Sequence, residues 1–110
     1  MKIIIAGAGK IGYSVAGILA DEGHDITVID NNSSTIANLS NNLDVICVEG
    51  SATNSETLLE AGAAEADLLM AATRSDETNM VCGISARKLG TKHVIARIRD
   101  TAYLQQMEFL

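Results

Sequence analysis

The chain has no proline and no tryptophan, only two cysteines, and 8 lysines and arginines against 14 acidic residues. Without proline, and with no internal repeat or low-complexity tract, nothing marks a linker between domains. A chain of 110 residues is one small domain, and with 47% hydrophobic residues it can bury a real core. No apolar run approaches the ~18 residues of a membrane span. The stretch Met1–Ala6 gives way at once to glycines, unlike the apolar region of a signal peptide. These absences read as a soluble, intracellular protein that does not insert into a membrane. The scarcity of bases, with a net charge of −6, speaks against a nucleic-acid surface, which needs clustered lysine and arginine. Residues 1–55 carry only Lys2 and Lys10, while Arg74, Arg87, Lys88, Lys92, Arg97 and Arg99 come later. They suffice for a few phosphates but not for a duplex. Cys47 and Cys82 form no CxxC pair and read as small buried hydrophobes in a reduced compartment. His24 and His93 stand alone, with no serine, cysteine or carboxylate spaced to make a triad. Nothing resembles a catalytic constellation or a metal site.

What the chain does have is alternation. Short apolar runs at Lys2–Ala6, Asp25–Asp30, Asp44–Glu49, Asp67–Ala71 and Lys92–Ile98 are rich in Ile, Val and Leu, as expected of parallel strands covered on both faces. Between the first two, Ile11, Val15, Ile18 and Leu19 follow the spacing of an amphipathic helix, with Gly23 as its stop. Thr35–Leu39, Ser55–Ala61 and Asp76–Leu89 fill the remaining gaps as helices, and Gly62 and Gly90 sit where C-terminal caps are wanted. Five strands alternating with helices predict a Rossmann-like, doubly wound α/β domain of three layers. Right-handed crossovers favour the strand order 3-2-1-4-5. Thr101–Leu110 reads as the opening of a further helix. The usual sixth strand is missing, so residues 1–110 are expected to be a single lobe of a longer protein.

The first strand runs into Gly7-Ala8-Gly9-Lys10-Ile11-Gly12. Here Gly7 permits a tight turn, Gly9 lets backbone approach a pyrophosphate, and Gly12 lets the helix pack close to the sheet. Free N–H groups and the helix dipole favour phosphate charge at that end. Asp30 lies 18 residues past Gly12, at the end of the second strand, where it meets ribose hydroxyls. The pattern favours nucleotide binding over a purely structural turn. A carboxylate accepts from a ribose diol but repels a 2′-phosphate, and no arginine follows in Asn31-Asn32-Ser33. NAD is therefore preferred to NADP, while NAD, ADP and ATP stay undistinguished. Two more loops should face the same crevice. Gly50-Ser51-Ala52-Thr53 leaves room beside an adenine, and Ala72–Asn79 follows the fourth strand. In the latter, Ser75 suits a helix cap, and Asp76 and Glu77 suit the positive helix start at least as well as ligand contact. Arg97, near the end of the fifth strand, is equally consistent with phosphate contact and with a surface salt bridge.

Taken in order, IIIAGAGKIG, DITVID, VEGSATN, AATRSDETNM and VIARIRD resemble the nucleotide-binding lobe of the TrkA family, the RCK or KTN domains that regulate potassium transport. The resemblance covers essentially the whole chain, and its later motifs are more specific than the glycine turn. It implies a cytoplasmic regulatory subunit, not an enzyme, that binds NAD(H) or adenine nucleotides. It further implies a homodimer or larger ring, held at the inner face of the membrane by a potassium channel or transporter of the TrkH/Ktr type. Position by position, Gly7, Ala8, Gly9, Ile11, Gly12 and Asp30 match the phosphate loop and ribose acid, with Asn31 beside it. Lys10 matches a base near the terminal phosphates. Ser51, Ala52, Thr73 and Arg74 match the loops beside adenine and ribose, and Arg97 the arginine turned toward the nucleotide. The chain departs from the family in having Ser51 where many members have aspartate, and Thr101-Ala102 where proline is frequent.

Two classes of function follow from these residues. One is a ligand-sensing module whose nucleotide biases a potassium channel. The other is the coenzyme half of an NAD-dependent dehydrogenase, which needs an acid or base beside the nicotinamide, and no residue here is well placed for that.

Overall fold

The computed structural model describes residues 1–103. Its elements alternate as expected: β1 (Lys2–Ala6), α1 (Lys10–Asp21), β2 (Asp25–Asp30), α2 (Ser33–Asn42), β3 (Ile46–Glu49), α3 (Ser55–Glu60), β4 (Leu68–Ala71), α4 (Asp76–Leu89) and β5 (His93–Ala96). All four strand pairings are parallel, and the order is β3-β2-β1-β4-β5. The proposed helix over Thr101–Leu110 has its first three residues in helical conformation, and the rest lies outside the described residues.

The period of two along a strand explains why β1 is apolar throughout. Ile4 and Ala6 point into one core with Leu58 of α3, with Ala61 at that helix's C-cap, and with Cys82 and Ala86 of α4. Ile3 and Ile5 point into the other, with Ala16 of α1 and Leu39 of α2. The middle layer is thus covered by helices on both faces. The edges depart from the expectation of strands covered on both faces. In β3, Ile46 is 60% exposed, and in β5, Ile95 is 55% exposed. An edge strand has one neighbour only, and the helices cover the centre of the sheet first.

The amphipathic stripe of α1 also differs from expectation. Ile11 and Ile18 are largely exposed, while Gly12 and Ala16 are buried and Val15 and Leu19 pack beside them. The cause is the glycine turn. It brings α1 so close to the sheet that a Cβ on Gly12 would run into the Gly7 carbonyl, so only small residues fit directly beneath the helix. α2 is longer than its apolar residues suggested. The Asn32 side chain accepts from Thr35 N–H at 3.0 Å and starts the helix at Ser33. β3 begins two residues later and β5 is shorter at both ends than expected, because ladder pairing covers only Ile46–Glu49 and His93–Ala96.

Candidate functional site

The strand order reverses at β1, where the chain passes to β2 on one side and to β4 on the other. Crevices open at such a switch point, beyond the C-terminal ends of the strands. Here the opening is a cleft of about 820 Å³. Of the residues expected at a ligand site, Gly7, Ala8, Gly9, Lys10, Ile11, Asp30, Asn31, Ser51, Ala52, Thr73, Arg74 and Arg97 all line it. Gly12 does not, and its part is to let α1 seat against the turn.

The three glycines of the turn behave differently. Gly7 has φ +96°, and a Cβ there would come within 2.9 Å of Thr73 N and 3.0 Å of Ala72 O. Glycine is therefore required at Gly7 and Gly12 by the protein itself. Gly9 is not so constrained. Its φ is −69° and ψ −164°, open to any residue, and a Cβ there meets nothing within 4 Å. It is exposed and on the cleft wall, so glycine at this position leaves empty space beside the backbone.

Gly9 is also the N-cap of α1, and no side chain caps that helix. Asn32, Asn54 and Ser75 cap α2, α3 and α4 with side-chain oxygens. The first N–H of α1 to find a helical partner is that of Tyr13, bonded to Gly9 O at 2.9 Å. Lys10 and Ile11, whose first-turn N–H groups precede it, line the cleft at the positive end of the helix dipole.

Asp30 ends β2 against this turn. One carboxylate oxygen accepts the Ala8 N–H at 2.9 Å and the other the Asn32 N–H at 2.9 Å. The two bonds fix the carboxylate plane, and each oxygen keeps a lone pair for a further donor. Beside the end of β2, in the loop after β3, Ser51 Oγ lies 2.8 Å from Thr53 Oγ1.

The lining is rich in bases. Among the described residues, Lys10, Arg74, Arg97 and Arg99 line the cleft, half of the chain's 8 lysines and arginines, and Asp30 is the one carboxylate beside them. A chain of net charge −6 thus turns a positive face to one cavity. Among the described residues Arg97 makes no ion pair, so the salt-bridge alternative finds no partner. Arg99 was not singled out from the sequence. Its guanidinium donates to the Arg74 carbonyl, linking the two loops.

Asp76 and Glu77 do not line the cleft. Asp76 accepts the N–H groups of Arg99 at 3.0 Å and Asp100 at 2.8 Å, and these bonds hold its carboxyl below the usual carboxylate range. Glu77 accepts from the Tyr103 hydroxyl at 2.7 Å, which lowers its pKa in the same way. Ser75 caps α4 as expected, accepting from Thr78 N–H at 3.2 Å. Asn79 is wholly buried, and sequence reasoning missed it. The available signal was a polar side chain on the inward stripe of α4, in line with Cys82, Gly83 and Ala86.

His24 and His93 sit at the N-terminal ends of β2 and β5, at the opposite end of the sheet from the cleft. Neither they nor either cysteine line it. Burial pushes the Cys82 thiol up to about 11, which makes it inert near neutral pH. Among the described residues no group of three His, Cys, Asp or Glu is placed to hold a metal ion. Among the described residues, the cleft lining holds no histidine or cysteine, and Asp30 is its one carboxylate.

Residues 3–110 match the family described as the TrkA-N domain. The Trk system potassium uptake protein TrkA of Vibrio alginolyticus is 43% identical over 111 residues, covering 100% of this chain and 24% of that protein. The protein of the same name from Haemophilus influenzae is 44% identical over the same span and share. The chain therefore spans about a quarter of the length of these relatives. Among solved structures, the Kef C-terminal domain of Shewanella denitrificans in its AMP-bound form superimposes with a TM-score of 0.83 at 26% identity, over 98% of this chain and 65% of that one. The GsuK channel bound to NAD superimposes with a TM-score of 0.84 at 22% identity, over 98% of this chain and 20% of that one, a likeness of fold alone.

Proposed function

The chain belongs to the TrkA-N domain family, and from that premise we propose that it is the nucleotide-binding lobe of a potassium-uptake regulator, taking NAD(H), ATP or ADP as a signal rather than as a reagent. The observation that carries this reading is Gly9. The protein has no packing or backbone need for glycine there. A ligand backbone that lies against the turn supplies that need, and a pyrophosphate fits the uncapped α1 N-terminus behind it.

In this reading the first-turn N–H groups of α1 bind the phosphates, and Lys10 reaches the distal ones. Asp30 accepts from the ribose hydroxyls and disfavours a 2′-phosphate, so NADP binds more weakly. Ser51 and Ala52 flank the adenine, Thr73 and Arg74 border the ribose and phosphates, and Arg97 neutralises phosphate charge. The relative bound to AMP supports an adenine nucleotide of this kind.

The larger assembly carrying this lobe would be a homodimer or ring at the inner face of the membrane, on a channel or transporter subunit of the TrkH/Ktr type. Nucleotide then biases the channel by its difference in affinity between two arrangements of the assembly. Potassium flux through the full-length system tests this. Asp30→Ala should abolish the response of flux to nucleotide. An unchanged response, with nucleotide binding shown to be lost, would sink the regulatory reading.

A further inference from the structure

Two of the four bases on the cleft wall sit on a stretch that the sheet barely holds. Arg97 N–H makes the last sheet-like bond, to Ala71 O at 2.9 Å, and residues 97–100 have no regular structure. α4 holds them instead. Asn79, with no exposed surface, donates to Arg97 O at 2.8 Å and to Thr73 O at 3.1 Å. Its carbonyl oxygen accepts from Thr73 N–H at 2.9 Å and from the Thr73 hydroxyl at 2.7 Å. Both amide protons and both lone pairs are therefore used. One turn earlier, Asp76 is 8% exposed and takes the N–H groups of Arg99 and Asp100 on its two oxygens. The Arg99 Nε lies 3.9 Å from the same carboxylate.

Burying polar side chains on a helix face is costly unless each is fully bonded. An apolar pair would serve packing alone at lower cost. These two bond to Thr73, Arg97 and Arg99, three residues of the cleft wall, and to the amide just beyond.

We propose that Asp76 and Asn79 are positioning residues for the ligand cleft: they hold Arg97–Asp100 so that the two guanidinium groups face the bound anion. This rests on the nucleotide reading for the identity of the anion. Asp76 acts on binding only through the arginines, and the effect of removing it depends on their presence.

The test uses ADP, the part common to NAD and to ATP, titrated by amide shift perturbation so that millimolar affinities are readable. Asn79→Ala strips the core, so Asp76→Asn is the variant of choice. It keeps the size of the side chain and loses the charge and one acceptor. Asp76→Asn should weaken ADP binding roughly tenfold, but change it less than about twofold when Arg97→Ala and Arg99→Ala are already present. Amide hydrogen exchange without ligand should speed up at Arg99 and Asp100 while the β1 amides keep their protection. An undiminished loss in the arginine-less background would show a general structural role and overturn the proposal. So would unchanged ADP affinity, or unchanged exchange at Arg99 and Asp100. Should the wild-type chain bind no ADP, the nucleotide reading fails. The exchange result then decides by itself whether Asp76 holds the segment.

Discussion

Gly9→Ala and Gly12→Ala add the same methyl group to the same turn, three residues apart, and should fail in opposite ways. At Gly9 the new Cβ meets no atom within 4 Å, and the backbone is in a region open to alanine. Alanine is a poorer N-cap than glycine, but it also reduces the freedom of the unfolded chain, so the net stability change should stay within about 0.5 kcal/mol. A ligand pressed against the turn has no room for the methyl. Overpacking of that kind costs about 1–3 kcal/mol, or roughly fivefold to 150-fold in Kd. At Gly12 the methyl collides with the Gly7 carbonyl, inside the protein, with or without ligand. The same 1–3 kcal/mol then falls on folding and lowers Tm by roughly 5–20 °C. Thermal melts and nucleotide titrations of both variants read the contrast. Gly9→Ala binding nucleotide as the wild type does, at unchanged Tm, would refute the reasoning, since nothing would then approach the backbone there.

Asp30→Asn keeps an acceptor for ribose hydroxyls but removes the charge that repels a 2′-phosphate, so the preference for NADH over NADPH should narrow. An unchanged ratio in paired titrations would mean that the carboxylate does not set it. The pKa of Asp76 is depressed by the N–H groups of Arg99 and Asp100, so its stabilisation is present above its unfolded-state pKa. It is lost as pH falls through its lower folded-state pKa. Acid unfolding followed by circular dichroism should therefore show a shallower acid-side loss in Asp76→Asn, and identical profiles would contradict the hydrogen-bonded carboxylate. With a thiol reagent at neutral pH, half-buried Cys47 should react in the native state and buried Cys82 only on unfolding. Equal rates would contradict the burial of Cys82.

The centre of the fold was legible because its signals are local and redundant. The apolar runs of β1 and β2 match the strands to the residue, and α4 lies between a serine cap and a glycine stop. The edges were not, because Val45 and Ile98 look like strand residues but have no ladder partner in sequence reach. The inward face of α1 was misread because large residues were assumed to point inward, whereas the turn's closeness to the sheet selects Gly12 and Ala16. The cleft residues were readable wherever they fall at a strand's C-terminal end, as Asp30, Thr73 and Arg97 do. Arg99 and Asn79 escaped for a different reason. Their placement depends on hydrogen bonds between segments 18 or more residues apart, and spacing along one helix or strand does not encode those.

The central claim is that the cleft binds an adenine nucleotide without a 2′-phosphate, and calorimetric titration of the purified chain with NADH, NAD+, ATP, ADP and NADPH tests it most directly. The account predicts measurable binding of at least one of the first four and much weaker binding of NADPH. Binding of none of them, or NADPH as the tightest ligand, would contradict it.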